Sequence, residues 1–350
     1  MSAPQPIDSI LAQEIRQQPE VIARLIDQPQ FAQVAAALRA AKPSYLVLAA
    51  RGSSDNAARY AQYLFGVQLG VPVALAAPSI STLYHSPPRY RDSVVIGISQ
   101  SGQAADVLQV LKDAAAQGVP TVALTNAPDS PMAQQADHHL DLHADLERSV
   151  AATKTYTAQL TAFALLAAHL AEDETLLAQA RQLPDWLAQA LSLAPVIEQR
   201  AERFRFMTHC VVLGRGYNYA TAFEIALKIK ELTYVIAEPY SSADFRHGPK
   251  AMIEEDFPVI AVLPNGATFP DMYALLQEMH GRGADLTVIS PDPEALALAH
   301  LPLPLPQGIP EWLSPIVAVV AGQLLALHIA AVKGNPLDAP RHLTKVTQTR

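Results

Sequence analysis

The stretch Tyr45-Leu46-Val47-Leu48-Ala49-Ala50-Arg51-Gly52-Ser53-Ser54 decides the fold. Its first six residues are apolar without interruption, a run of strand length that suits a strand covered on both faces, as in parallel sheets. The polar turn at 51–54 ends the run, and a helical pattern follows. Outward from there the order recurs. Residues 93–98 form a second apolar run, which enters Ser99-Gln100-Ser101-Gly102 and then a helical segment over 104–117. A third run, 119–124, ends at Thr125-Asn126, and a helical opening over 8–41 precedes the first. Short apolar strands alternating with helices predict a doubly wound parallel sheet with helices on both faces.

The order returns in the second half. Cys210-Val211-Val212-Leu213 runs into Gly214-Arg215-Gly216, and a helical pattern covers 222–235. Pro258-Val259-Ile260-Ala261-Val262-Leu263 then enters Pro264-Asn265-Gly266, and Leu286-Thr287-Val288-Ile289 follows. An offset of about 165 residues held across three strands predicts duplication of one α/β unit. The division expected is 1–190 for the opening helix and first unit, 191–335 for the second, and 336–350 for a C-terminal tail. The boundary falls in the polar helical stretch 172–203, and the proline-rich run 301–310 reads as a rigid connection to the last helix.

Composition narrows the function classes. The chain has 350 residues, half of them hydrophobic and 17% charged, which supports a large core and excludes a disordered chain or a disulfide-stapled miniprotein. A net charge of −8 without a long basic run argues against nucleic-acid or anionic-membrane surfaces. One cysteine, Cys210, allows no internal disulfide and points to a reducing compartment. The opening Met1-Ser2-Ala3-Pro4-Gln5-Pro6 has no signal-peptide pattern. The apolar stretches 160–171 and 316–332 fall short of a span and read as buried helices. A soluble, cytoplasmic protein is expected.

In an open parallel sheet, ligands bind beyond the carboxyl ends of the strands. Two such ends carry dense hydroxyls: Ser53-Ser54 and Ser99-Gln100-Ser101-Gly102. The second precedes a helix, whose free N–H groups and dipole attract an anion. Serine is also an ordinary helix cap, so each loop by itself reads equally as capping. No GxGxxG or GxxxxGK[ST] stands at a strand-to-helix turn, and no histidine pair has metal-ligand spacing, so neither nucleotide cofactor nor metal is expected.

On the helix over 222–235, Glu224, Lys228 and Glu231 share one face. A carboxylate beside a lysine at a sheet edge suits proton transfer between adjacent carbons. The same spacing describes an exposed salt-bridge ladder. Downstream, His247 precedes Gly248-Pro249 on a stiff turn and is available as an acid or base near neutral pH. Lys345 lies in a basic tail that by itself reads as loose.

Taken together, these residues resemble the sugar isomerase (SIS) double-domain family, above all the isomerase half of glucosamine-6-phosphate synthases and stand-alone deaminases. The carrying motifs are Arg51-Gly52-Ser53-Ser54, Ser99-Gln100-Ser101-Gly102, Glu147 through Val150-Ala151-Ala152-Thr153-Lys154, Glu224 through Glu231, Arg246-His247-Gly248-Pro249, and Asp338 through Lys345. The resemblance implies two tandem doubly wound, flavodoxin-like subdomains of three α/β/α layers. It also implies roles. Ser53, Ser54, Ser99, Gln100 and Ser101 would hold a 6-phosphate, while Val150 and Ala151 would meet the sugar through their backbone. Glu231 would move the proton with Lys228 adjacent, and Glu224 would line the site. His247 would act across a homodimer interface to open the ring, and Lys345 would form an imine with the ketose. Departures from the family pattern include Arg51, where a small residue or cysteine is usual, and Ala104, where a threonine hydroxyl is usual.

The family's synthases draw ammonia from a fused glutaminase with a terminal cysteine. This chain opens on Met1-Ser2 and its cysteine lies inside the second half, so the expectation is an isomerising deaminase: glucosamine 6-phosphate and water to fructose 6-phosphate and ammonia. Related alternatives are a galactosamine-6-phosphate enzyme, another phosphosugar isomerase, a sugar-amine deglycase or a non-catalytic sugar-phosphate sensor.

Overall fold

A computed structural model describes residues 7–345. Among these, ten strands form two five-stranded sheets. The first holds β1 (Tyr45–Ala49), β2 (Val73–Leu75), β3 (Ser93–Ser99), β4 (Thr121–Thr125) and β5 (His138–Asp141) in the order β2-β1-β3-β4-β5. The second holds β6 (His209–Gly214), β7 (Ile236–Ser241), β8 (Pro258–Val262), β9 (Asp285–Ser290) and β10 (Leu301–Pro304) in the order β7-β6-β8-β9-β10. Every pairing is parallel. The strands begin at 45, 73, 93, 121 and 138 in one half and at 209, 236, 258, 285 and 301 in the other, an offset that stays within 163 to 165. Identical winding at a constant offset is the duplication expected from the sequence, two flavodoxin-like units in tandem.

The period of two along each strand separates the layers. Leu46, Leu48, Val94, Ile96 and Ile98 face inward, while Val47, Ala49 and Val95 pack outward with Val107, Val110 and Leu111 of the helix Ala105–Ala116. In the second sheet Cys210, Val212, Ile260 and Val262 face inward, and Val211, Leu213, Val259 and Ala261 pack outward on the helix Phe269–Gly281. The inward residues of both sheets share one core, filled by the helices Lys154–Ala171, Tyr219–Thr233 and Ser314–Val332. Segment 311–332 is long and apolar enough to cross a membrane, but here it is a core helix, buried from Ser314 to Ala330. Its Gly322 has a packing reason. A Cβ there would lie 2.2 Å from Cγ1 of Ile225, so only glycine lets the two helices approach this closely.

Three features differ from the sequence reading. The expected opening helix is three helices, Ile10–Arg16, Gln18–Ile26 and Gln30–Ala41. Four edge strands, β2, β5, β7 and β10, were not marked in the sequence: β2 is apolar but only three residues long, while β5, β7 and β10 are interrupted by polar residues or proline. The stretch 301–310 is not simply a connection: Leu301–Pro304 is edge strand β10, with Leu301 and Leu303 buried and Pro302 and Pro304 exposed. Proline is tolerated there because an edge strand need not donate on its outer side.

Candidate active site between the two halves

The carboxyl ends of β1 and β3 open onto a cavity of about 360 Å³. Its wall includes Ser53, Ser54, Ser99, Gln100 and Ser101 from the first half, Val150 and Ala152 from the loop before helix Lys154–Ala171, Lys228 and Glu231 from the second half, and Lys345 from the tail. Motifs scattered over nearly 300 positions thus meet at the switch point of the first sheet. A larger hollow, about 800 Å³, adjoins it across Gln100, Ser101 and Lys345, but Lys228 and Glu231 line only the smaller one.

The hydroxyl loops end in helix N-termini that no side chain caps. Helix Ser53–Leu69 starts after Gly52 and helix Ala105–Ala116 after Ala104, neither with a side-chain cap. Within these first turns the N–H groups of Asp55 and Asn56 bond the Gly52 carbonyl and that of Val107 bonds Oδ1 of Asp106, so an anion would meet the N–H groups at the very start of each helix. Gly102 is required in this loop. It has φ +62°, and a Cβ would lie 2.0 Å from Oγ of Ser130. The corresponding loop of the second half is closed. There Glu311 accepts from the N–H of Ala267 at 2.7 Å, the N–H of Thr268 at 3.3 Å and Oγ1 of Thr268 at 2.7 Å, just ahead of helix Phe269–Gly281. One repeat keeps its anion cradle open, and the other fills it with its own carboxylate.

Across the cavity, the ladder on helix Tyr219–Thr233 is buried rather than solvated. Glu224 and Lys228 are 0% and 1% exposed. Lys228 Nζ lies 2.5 Å from Oε2 of Glu231 and 3.4 Å from Oε1 of Glu224. Burial disfavours the ammonium, yet Glu231 and Glu224 outweigh it and hold the Lys228 pKa above its ordinary value. Burial raises Glu224, an effect that Lys228 partly offsets. Glu224 also ties the halves together, accepting from Oγ of Ser53 and Nδ2 of Asn56, each at 2.8 Å. The Ser53 hydroxyl proton is thus committed to Glu224, leaving that residue's backbone to face the cavity. Ser54 Oγ accepts from Nε2 of Gln159 at 2.9 Å and keeps its own proton to donate.

The tail is anchored on both halves. Asp338 accepts from the N–H of Leu11 through its side chain and from the N–H of Val150 through its carbonyl. The Arg341 guanidinium stacks 3.9 Å from the Tyr234 ring centroid. Lys345 Nζ donates to Oε2 of Glu147 at 2.9 Å. Glu147 is fully buried and also accepts from the N–H groups of Thr153 and Thr155 and from Oγ1 of Thr155, which caps helix Lys154–Ala171. Burial alone would raise the Glu147 pKa, but Lys345 and these hydrogen bonds bring it below the ordinary carboxylate value. Residues 346–350 of the tail lie outside the described residues.

Three expected site residues are placed elsewhere. Glu224, expected to line the site, is fully buried behind Ser53 and Asn56 and does not reach the cavity wall. Ala151 is buried behind the wall, its carbonyl taken by Oγ of Ser149 at 3.0 Å, while Val150 and Ala152 line the cavity. His247 is exposed at the end of helix Ser242–Arg246, beyond β7, and does not line the cavity of its own chain. The sequence reading missed Asn56, Asp106, Gln159 and the pairing of Glu147 with Lys345, because those partners lie 50 to 200 residues apart. Among the described residues no cluster has the makings of a metal site.

A tandem pair of doubly wound units, with hydroxyl-rich loops at helix N-termini facing a buried carboxylate–lysine pair across one cavity, defines a class of α/β protein. The particular family follows from comparison: the model of the SIS domain matches residues 39–169 and again 207–333, and the chain belongs to that family. It is 36% identical over 312 residues to the isomerizing glutamine–fructose-6-phosphate aminotransferase of Gloeobacter violaceus, covering 86% of this chain and 51% of that protein. With the enzyme of the same name from Pyrococcus horikoshii it shares 34% over 348 residues, 97% of this chain and 57% of the other. The chain thus spans about half the length of the curated relatives it matches. The C-terminal domain of glucosamine-fructose-6-phosphate aminotransferase from Francisella tularensis superposes with TM-score 0.86 at 28% identity, covering 95% of this chain and 99% of that one. Glucosamine-6-phosphate deaminase from Thermotoga maritima shares the fold, with TM-score 0.77 at 22% identity and coverage of 97% and 100%.

Proposed function

We propose that the chain is an isomerising amino-sugar phosphate deaminase that converts glucosamine 6-phosphate and water to fructose 6-phosphate and ammonia. One observation carries this reading: a single cavity joins an open anion cradle, Glu231 on the Lys228 ammonium, and Lys345. The 6-phosphate sits among Ser54, Ser99, Gln100, Ser101 and the backbone at Ser53. Glu231, whose side chain is 23% exposed, takes the C2 proton of the open-chain sugar and returns it at C1. Lys228, held charged, stabilises the negative charge that develops on the enol oxygen. The proton shift leaves a ketimine at C2. The Lys345 amine adds at C2 and ammonia leaves; water then adds, the C2–N bond breaks, and the ketose departs with the lysine restored. One water enters and one ammonia leaves.

His247 is exposed and does not line the cavity of its own chain, so in this reading the active unit is a homodimer in which the partner subunit's His247 opens the sugar ring. Cys210 is no nucleophile in this site: burial pushes its thiol up to about 12. A reducing, cytoplasmic setting fits the same thiol. The names of the sequence relatives favour a second reading, in which the same site aminates fructose 6-phosphate with ammonia delivered from elsewhere.

The test is ammonia release by the purified protein from hexosamine 6-phosphates, with glucosamine and galactosamine epimers compared. Absence of turnover on every one refutes the proposal. Glu231→Gln should lower turnover by about 10²- to 10⁴-fold while phosphate binding persists. Co-expressing Glu231→Gln with His247→Ala chains should restore roughly a quarter of wild-type activity, since half the dimers then hold one complete site. No restoration rules out the shared site.

A further inference from the structure

Three cations line the cavity: Arg51, Lys228 and Lys345. Lys228 is held between Glu231 and Glu224, and Lys345 is held by Glu147. Arg51 differs from both. It lies in the turn after β1, next to the N-terminus of helix Ala105–Ala116, where Oδ1 of Asp106 accepts from the N–H of Val107 at 2.9 Å, and its side chain is 47% exposed. Its Nε donates to Oδ2 of Asp106 at 2.7 Å, and neither terminal Nη group bonds a described residue. Asp106 is completely buried in the first turn of that helix. At the adjoining position Ala104 presents only a methyl group, which leaves space beside the cradle and offers no hydroxyl to an anion.

A buried carboxylate one turn from an anion site would repel the anion unless a cation stood between them. The Arg51 fork meets that need: Nε fixes the guanidinium plane on Asp106, and two Nη groups remain, the geometry by which arginine grips phosphate oxygens. We infer that Arg51 is a direct phosphate contact of this chain, aimed by Asp106 and occupying the space left open at Ala104. It supplies the charge that the neutral serine and glutamine donors of the cradle lack. This rests on the cradle assignment in the proposed function and sharpens it: the site selects a dianionic phosphate over a neutral sugar.

The experiment is a titration of the intact protein with inorganic phosphate, read by calorimetry, which needs no turnover. Arg51→Met should weaken phosphate binding about tenfold to a hundredfold, the range for losing a charge-assisted contact, and Arg51→Lys should fall between. Binding of non-phosphorylated glucosamine should not change. The double variant Arg51→Met with Asp106→Asn separates contact from screening. A direct contact leaves phosphate affinity low even after the repelling carboxylate is neutralised. Full recovery in the double variant, or wild-type affinity in Arg51→Met, overturns the inference while leaving the cradle in place. A wild-type protein that binds no phosphate overturns the cradle itself.

Discussion

Glu147→Gln tests how the tail brings Lys345 to the cavity. The carboxylate accepts four hydrogen bonds, three from helix Lys154–Ala171 and its approach and one from Lys345. Glutamine keeps an acceptor for the backbone N–H groups, but its amide nitrogen faces the Lys345 ammonium, and that charge-assisted bond is lost. A fully buried pair broken on one side costs about 3–5 kcal/mol. Lys345 is 24% exposed and can turn toward water, so the loss is discounted to about 2 kcal/mol, near 30-fold in the docked population of the lysine. Asp338 and Arg341 still hold the rest of the tail. The expected result is a fall in kcat of about 30-fold with little change in KM, and faster hydrogen exchange confined to residues 341–345. Wild-type kcat and unchanged exchange would refute the docking argument. The pH dependence has a definite sign. Because the Glu147 pKa is depressed on folding, its contribution is complete above the ordinary carboxylate pKa and is lost only as pH falls through the lower folded value. Tail docking should therefore persist through mildly acid solution.

Two further outcomes follow from buried groups. Glu311→Ala leaves the N–H groups of Ala267 and Thr268 without their carboxylate, and denaturant unfolding should show a loss of about 1–3 kcal/mol; an unchanged midpoint would contradict the capping role. Cys210, its thiol pushed up to about 12, should resist alkylation in the native protein at pH 8 and react fully once unfolded. Rapid native labelling would contradict its burial.

The residues that were legible in the sequence are those whose signal is local. Leu46, Leu48, Val94 and Ile96 lie in runs apolar enough to declare a doubly covered strand, and the 165-residue echo at Val212 and Ile260 declared the duplication. The hydroxyl loops were visible because ligand sites in such sheets follow strand ends. Edge strands were not, since Val73–Leu75 is only three residues long and Leu301–Pro304 alternates leucine with exposed proline.

Charge is where pattern and structure part most sharply. Glu224, Lys228 and Glu231 have the spacing of a surface ladder, and only the packing of one half against the other buries them and sets their pKa values. Glu311 and the open loop at Ala104 are another case. Duplicated sequence predicts two equivalent cradles, yet a side chain from a distant loop closes one of them. Lys345 reads as a loose basic tail until Glu147, 198 residues away, is seen to hold it. The sequence by itself determined the central strands, their winding and the chemistry available at each loop, because these depend on neighbours in the chain. The tertiary structure alone decided which charges are buried, which cradle stays open and which lysine reaches it, because burial and pairing depend on groups that the chain brings together only by folding.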